Sequence, residues 1–386
     1  MANYSFEALT SVLKSFPAIS IESEFRFFSA PARINIIGEH VDYAGGIVLP
    51  AAIDFRVSAA VRKNGTDEYR LYSLDFQAYK IARELEYDRE HTWANYVLGV
   101  VSEAKKRGLS VPGFDLSFGG NIPQGAGLSS SAAVEVVVGY ALSELFGWGL
   151  SLKEIALLGQ AAENKFVGVN CGIMDQLIIS VAKKETCISL NTQTLDYEFY
   201  PLELRNFEFY LIDSKKKHSL KESGYNERRT EVESATEKIK RLHPELPNLY
   251  EAEEKWLETA GLNFLEKKRA LHVIGEKKRT NDVIRNLVSG NIPKIGSELF
   301  ACNDSLSRLF QVTSPETDFI VDWLKSQKVI GARMIGGGFG GCVLVLDFSG
   351  RSDSLFSQLN PEYHLKFGHQ AEIYHFQISD GVREDR

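Results

Sequence analysis

Cysteine is scarce: four in 386 residues, at 171, 187, 302 and 342, with no CxxC pair. That spacing argues against a disulfide framework or a thiolate metal cluster, and predicts reduced thiols in a cytoplasmic protein. Positive charge is not in excess either. Lys and Arg total 44 against 51 Asp and Glu, a net charge of −7. A nucleic-acid partner needs a basic face and is not expected. A polyanionic substrate must then be held by local groups, not by the overall field. There is no long apolar run free of charge. The most apolar long window, 132–150, contains Glu135 and Glu144, which suits a buried helix better than a bilayer span, so no membrane association is expected. The opening MANYSFEALTSVLKSF lacks a basic segment followed by an apolar one, so no secretion signal is expected. Internal repeats and low-complexity tracts are missing. So is the nucleotide signature GxxxxGK[ST], and the glycine-rich residues 120–133 do not spell the dinucleotide fingerprint GxGxxG.

What is present centres on residues 120–133, GNIPQGAGLSSSAA, with three glycines and three serines in fourteen residues. A strongly helical run, AVEVVVGYALSELF, follows at once. A loop this poor in side chains lets an anion approach the backbone, and the helix start offers unpaired N–H groups and the positive end of its dipole. The stretch therefore reads as a grip on nucleotide phosphates. A Gly/Ser linker capping an ordinary helix is the other reading.

The length suggests about two domains. Phe6, Leu9, Val12, Leu13 and Phe16 at helical spacing predict an amphipathic helix over 1–16, ended by Pro17. Residues 25–37 read as a strand; 47–62 are β-rich, with 69–75 as a partner strand. Helix is predicted over 93–107, a short strand over 114–118, and a further helix from Ser151 through Phe166. Residues 170–179 read as a loop leading into an apolar run. After about 200 the composition shifts: 214–256 is rich in Lys, Glu and Arg, with helical periodicity over 234–243, and 266–288 and 296–310 read as amphipathic helices. Residues 329–348, VIGARMIGGGFGGCVLVLDF, read as two short strands flanking a second glycine loop. Strands and helices mix without regular βαβ alternation. The expectation is a two-domain α+β protein, divided as 1–200 and 201–386.

Four constellations carry chemistry. In 30–46, APARINIIGEHVDYAGG, the group Glu39, His40 and Asp42 follows a tight glycine. Short carboxylates on a loop suit vicinal hydroxyls, as in sugar recognition; a solvated turn capped by Asp42 is the alternative. Arg33, six residues before Glu39, can neutralise charge on a transferring phosphoryl group. A metal held by Glu39, His40 and Asp42 is disfavoured, since no second histidine sits at ligand spacing. In the second constellation, Glu163 precedes Asp175 by twelve residues. Two such carboxylates can divide the labour, one on a metal and one on a substrate proton; helix-end and capping roles are the alternative. The third is GGGFGG at 336–341, whose density implies close backbone approach, as a packing contact or against the phosphate loop. The fourth is the basic stretch 214–229, SKKKHSLKESGYNERR, by default a solvated face, although Tyr225 within it can close over a ligand hydroxyl.

Taken in order, RINIIGEHVDY, GAGLSSSAA, CGIMDQ and GGGFGG make the chain closely resemble the galactokinases of the GHMP small-molecule kinase superfamily, over nearly its whole length. The first string is the most specific. The resemblance implies a ribosomal-protein-like N-terminal domain, a ferredoxin-like C-terminal domain and an active site between them. It implies Arg33 as transition-state stabiliser and Asp175 as catalytic base. Glu39, His40, Val41, Asp42, Gly172 and Tyr225 would hold the sugar. Gly125, Ala126, Gly127, Leu128, Ser129, Ser130 and Ser131 would cradle ATP, with Ser131 and Glu163 on Mg²⁺. The implied reaction is phosphorylation of α-D-galactose at the C1 hydroxyl, giving galactose 1-phosphate and ADP, the entry step of the Leloir pathway. Sugar and ATP are the expected partners, with no obligate protein partner. The chain departs from the family pattern at Ala32, Ala44, Asn170 and the string ACNDSL around 301–305; Ala44 and Asn170 are expected to border the sugar pocket and bear on the substituents at C2 and C6. A kinase for N-acetylgalactosamine or L-arabinose, and a regulator without turnover, are the alternatives.

Overall fold

Long alternating runs in the first half pair into one sheet. The computed structural model describes residues 5–14, 16, 24–216 and 221–385, with the side chains of 221–223 left aside. In chain order come α1 (Phe6–Leu13), β1 (Arg26–Asn35), β2 (Ile47–Val48), β3 (Pro50–Lys63), β4 (Tyr69–Ser73), β5 (Ala78–Ala82), α2 (Ala94–Lys106) and β6 (Phe114–Gly120). Then follow α3 (Ser130–Phe146), α4 (Leu152–Ala162), α5 (Met174–Val181), β7 (Thr186–Asn191) and β8 (Tyr197–Pro201). The second half holds β9 (Phe207–Asp213), α6 (Lys221–Leu242), α7 (Phe264–Val288), α8 (Ile292–Ser305), α9 (Pro315–Ser326), β10 (Gly331–Met334), β11 (Cys342–Phe348), α10 (Ser352–Phe367), β12 (Glu372–His375) and β13 (Arg383–Asp385).

The first sheet runs β13-β1-β3-β6-β4-β5. Its pairs are antiparallel except β4 with β6, which run parallel. The expected pairing of 69–75 with 47–62 does not occur. Strand β6 lies between β3 and β4, because two apolar faces of a central strand bury more surface than one hairpin edge. The β-rich 47–62 is also split: β2 leaves to pair with β7 in a small sheet with β8. Helices α3 and α5 pack against β1 and β3, and α1 covers β3 and β6 through Leu9, Leu13 and Ala60. Helix α1 ends at Leu13, with Lys14 as its C-cap, short of the expected residue 16; Pro17, read as the helix stop, lies outside the described residues.

The second sheet, β10-β11-β9-β12, is antiparallel. Helices α9 and α10 bury Ile320, Leu324, Leu359 and Tyr363 on it. Helix α8 lies against β10 with no side chain between: a methyl group on Gly331 would overlap the backbone of Gly296. Local signals predicted several of these helices well. Ser151 and Glu154 form a reciprocal capping box on α4, as Asn263 and Glu266 do on α7. The segment 170–179 is not all loop, since α5 begins at Met174. The chain's last strand returns to the first sheet, where β13 pairs with β1 and Ile378 bridges Ile53. A division at residue 200 therefore does not describe the tail. Among the described residues, no helix is long and apolar enough to cross a membrane.

Candidate active site

The site begins with an interruption in a strand. The β1/β3 register shifts between Pro31 and Ala32, leaving Asp54 and Phe55 without partners on β1. Proline has no N–H for the ladder, and such bulges re-aim the residues beside them. Two residues on, Arg33 is buried, at 4% exposure. Its Nε and Nη2 donate to Asp175 Oδ1 and Oδ2 at 2.6 and 2.7 Å, and Nη1 donates to the Gly127 carbonyl at 2.7 Å. This bidentate pair joins a strand to the first turn of α5 across 142 residues. Burial alone would lower the Arg33 pKa, but the Asp175 carboxylate outweighs it and the net direction is up. The guanidinium is a permanent cation.

Glycine sets the next wall. Ser129, the residue before α3, has φ 62°, a left-handed conformation, and its side chain does not cap the helix. The hydroxyl instead donates a short hydrogen bond to Asp175 Oδ2. The helix start is left open to a ligand, as an anion cradle requires. The second glycine loop presses on the first. A methyl group on Gly336 (φ +78°) would sit 3.0 Å from the Gly127 carbonyl, so the two backbones come close and the 336–341 loop shapes the 125–131 loop.

Helix α4 ends in a single π-turn, Glu163–Val167, a feature frequent at functional sites. Glu163 Oε1 accepts from Ser131 Oγ at 3.2 Å. Its Oε2 accepts from Gln176 Nε2 at 2.7 Å and Cys171 Sγ at 3.2 Å. Burial raises the Glu163 pKa. The remaining wall is the turn that carries Glu39, His40 and Asp42. Glu39 is buried and paired with Arg333, Oε2 to Nη1 at 2.7 Å. Burial together with the Asp175 and Glu39 charges pushes Asp42 up to about 7. Burial holds His40 neutral, down to about 3, with its Nδ1 3.0 Å from the Tyr43 hydroxyl. Tyr225 packs its ring 5.6 Å from His40 and 5.7 Å from Tyr43.

These groups converge on one cavity of about 400 Å³, lined by Arg33, Glu39, His40, Asp42, Gly125, Gly127, Leu128, Ser129, Ser130, Ser131, Glu163, Gly172, Asp175 and Tyr225. Its size suits a small substrate beside a phosphate tail. The family model described as GHMP kinases N terminal domain matches residues 95–183, and GHMP kinases C terminal matches 283–363. The galactokinase galactose-binding signature matches residues 15–63. The galactokinase of Thermosipho africanus is 42% identical over 354 residues, covering 92% of this chain and 98% of that protein. The chain belongs to the galactokinase family. The galactokinase of Clostridium beijerinckii is 37% identical over 97% of this chain. The structure of Lactococcus lactis galactokinase complexed with galactose matches with TM-score 0.90 and 34% identity, covering 98% of this chain and 100% of that one. The mevalonate kinase of Methanococcus jannaschii, at 18% identity and TM-score 0.65, shares the fold.

Against that galactokinase family frame, two of the expected site residues stay out of the cavity. Val41 is fully buried, its carbonyl taken by the N–H groups of Ala44 and Gly46. Ala126 is likewise buried, under Gly341. Neither Ala44 nor Asn170 lines the cavity, contrary to the expectation that both border it. The Asn170 carbonyl accepts from Arg229 Nη1 at 2.8 Å. Gly172 does line it, and the reason is steric: a methyl group there would overlap the Asp42 carboxylate. Sequence reasoning missed Tyr96, Pro123, Val169, Met174 and Asn226, which also line the cavity, and Gln176, which holds Glu163. No local signal marked Gln176, since residues 170–179 read as a loop while α5 begins at Met174.

Proposed function

We propose that this chain transfers the γ-phosphoryl group of ATP to the C1 hydroxyl of α-D-galactose, with Asp175 taking the hydroxyl proton. The observation that carries the reading is the Arg33–Asp175 pair, bonded to both Ser129 and the Gly127 carbonyl of the phosphate loop. That geometry supports the reading, because a carboxylate and a fixed cation meet beside the loop that would hold the phosphates. Phosphoryl transfer asks mainly for positioning and charge neutralisation. The amides around Gly125–Ser131 would hold the phosphates. Arg33, locked on two sides, would meet the charge that grows on the transferring group without reorganising. Glu39, Asp42, His40 and Tyr225 would orient the sugar. The galactose-binding signature over 15–63 favours galactose over the other sugars, and the Arg33–Asp175 and Ser131–Glu163 pairs argue against a regulator without turnover, which needs neither a base nor a metal ligand.

Glu163 and Ser131 suit Mg²⁺. A carboxylate and a hydroxyl oxygen meet at 3.2 Å at the cavity edge, while Gln176 and Cys171 fix the carboxylate's other oxygen. Hard oxygen donors, few in number and beside the phosphate site, are the set Mg²⁺ takes. Bound there, the ion would neutralise charge on the β- and γ-phosphates. All four cysteines are free thiols, which supports a reducing, cytoplasmic setting. The test is ADP release across a panel of hexoses and pentoses, with and without magnesium. Galactose should be best by a wide margin and omission of magnesium should abolish turnover. Equal turnover with N-acetylgalactosamine would overturn the substrate assignment.

A further inference from the structure

The sugar motif is held from behind by residues of the second half of the chain. Glu276 of α7, fully buried, accepts from the N–H groups of both Gly38 and Glu39 through Oε2, at 3.0 and 3.1 Å. His272, one turn earlier, lies with Nε2 3.0 Å from the Glu39 carbonyl and Nδ1 2.8 Å from Ser305 Oγ. A carbonyl can only accept, so Nε2 carries the proton and Nδ1 accepts from Ser305. Arg333 of β10 has no exposed surface. Its Nε donates to the Ile36 carbonyl at 2.9 Å, Nη2 to the Asn35 carbonyl, and Nη1 to Glu39 Oε2 at 2.7 Å. Every polar group of Glu39 is thus engaged except Oε1, and Glu39 lines the cavity.

A buried carboxylate needs a partner, and a partner this rigid fixes where the remaining oxygen points. We infer that Arg333 and Glu276 are positioning residues for the sugar. They hold the 35–39 segment so that Glu39 Oε1 accepts from a hydroxyl of the hexose, and they set sugar affinity without touching the sugar or the nucleotide. The inference rests on the proposed role of Glu39 in sugar binding. It also gives the two halves of the chain a division of work: the turn comes from one, its geometry from the other.

The experiment is a double-mutant cycle on Glu39→Gln and Arg333→Met, with KM for galactose, KM for ATP and kcat measured separately, and thermal unfolding followed in parallel. Arg333→Met should raise galactose KM about 10- to 100-fold, the loss of one charge-assisted hydrogen bond, while ATP KM stays within about threefold. In the Glu39→Gln background the same change should add little, because Arg333 acts through Glu39. Arg333→Lys keeps the charge but cannot span the carboxylate and two carbonyls, so it should raise galactose KM by a smaller factor; it decides the matter if Arg333→Met does not fold. Parallel losses in both KM values and kcat, or full additivity in the cycle, would overturn the positioning role. An unchanged galactose KM in Glu39→Gln would instead remove the underlying sugar-site reading, and the inference with it.

Discussion

Replacing Asp175 by asparagine separates chemistry from binding. The side chain keeps its shape and one carbonyl oxygen. It loses the negative charge that accepts two hydrogen bonds from Arg33, at 2.6 and 2.7 Å, and a third from Ser129. An amide NH₂ then faces a guanidinium N–H, donor against donor. Removing one member of a buried ion pair costs up to about 3–5 kcal/mol. Asp175 retains 27% side-chain exposure, so water relieves part of this and we expect about 2 kcal/mol, a loss of a few degrees in Tm. The rate should suffer more. A general base contributes about 10²–10⁴ in rate, or about 2.7–5.5 kcal/mol at 1.36 kcal/mol per tenfold. The amides of the phosphate loop and the Ser131–Glu163 pair are untouched, so ATP affinity should stay within about threefold. The assays are coupled ADP release for kcat, nucleotide titration by calorimetry for affinity, and scanning calorimetry for Tm. A kcat within tenfold of the parent would refute the base assignment. Lost nucleotide binding at unchanged Tm would refute the claim that the pair sits beside the cradle without forming it.

Asp42 should make galactose binding pH-dependent. With its pKa pushed up to about 7 by burial and by Asp175 and Glu39, it loses its charge just below neutrality, and galactose KM should rise by up to about tenfold per pH unit there; Asp42→Asn should flatten that profile, and a profile unchanged by the substitution would sink the claim. The same group affects stability with a definite sign. Its folded value, about 7, lies above the ordinary 3.8, so its contribution is full below about pH 4 and lost as pH rises through about 7. Relative to Asp42→Asn, the parent should gain roughly 1 kcal/mol per pH unit on acidification across that window, read from urea unfolding. His40 and His272 act in the opposite sense: burial takes them down to about 3 and about 4 from 6.5, so their contribution is full above pH 6.5 and fails as pH falls through those values, and His272→Gln should reduce acid sensitivity in the same unfolding series. Gly172→Ala should raise galactose KM at least tenfold with ATP KM little changed, because the new methyl group would displace the Asp42 carboxylate; an unaltered galactose KM would show that Asp42 can move without loss.

The sequence by itself determined what local chemistry can write. The glycine-serine stretch before α3 and the second glycine loop were legible because glycine takes left-handed angles without strain and, lacking a Cβ, permits close backbone approach. Helix α4 was legible from Ser151 and Glu154, since a capping box is closed within four residues. The string around Glu39, His40 and Asp42 pointed to a sugar because short carboxylates cluster on one turn. What only the tertiary structure decided is which distant groups meet. Arg33 and Asp175 lie 142 residues apart, and Arg333 reaches the Ile36 carbonyl across 297. Neither pairing leaves a period in the sequence. Strand order was likewise hidden: β6 comes between β3 and β4, and β13 returns to β1, because an alternating strand records which face is buried but not which neighbour it pairs with. Val41 and Ala126 sit inside their motifs yet turn inward, since along a turn or loop the direction of each side chain is set by the packing around it.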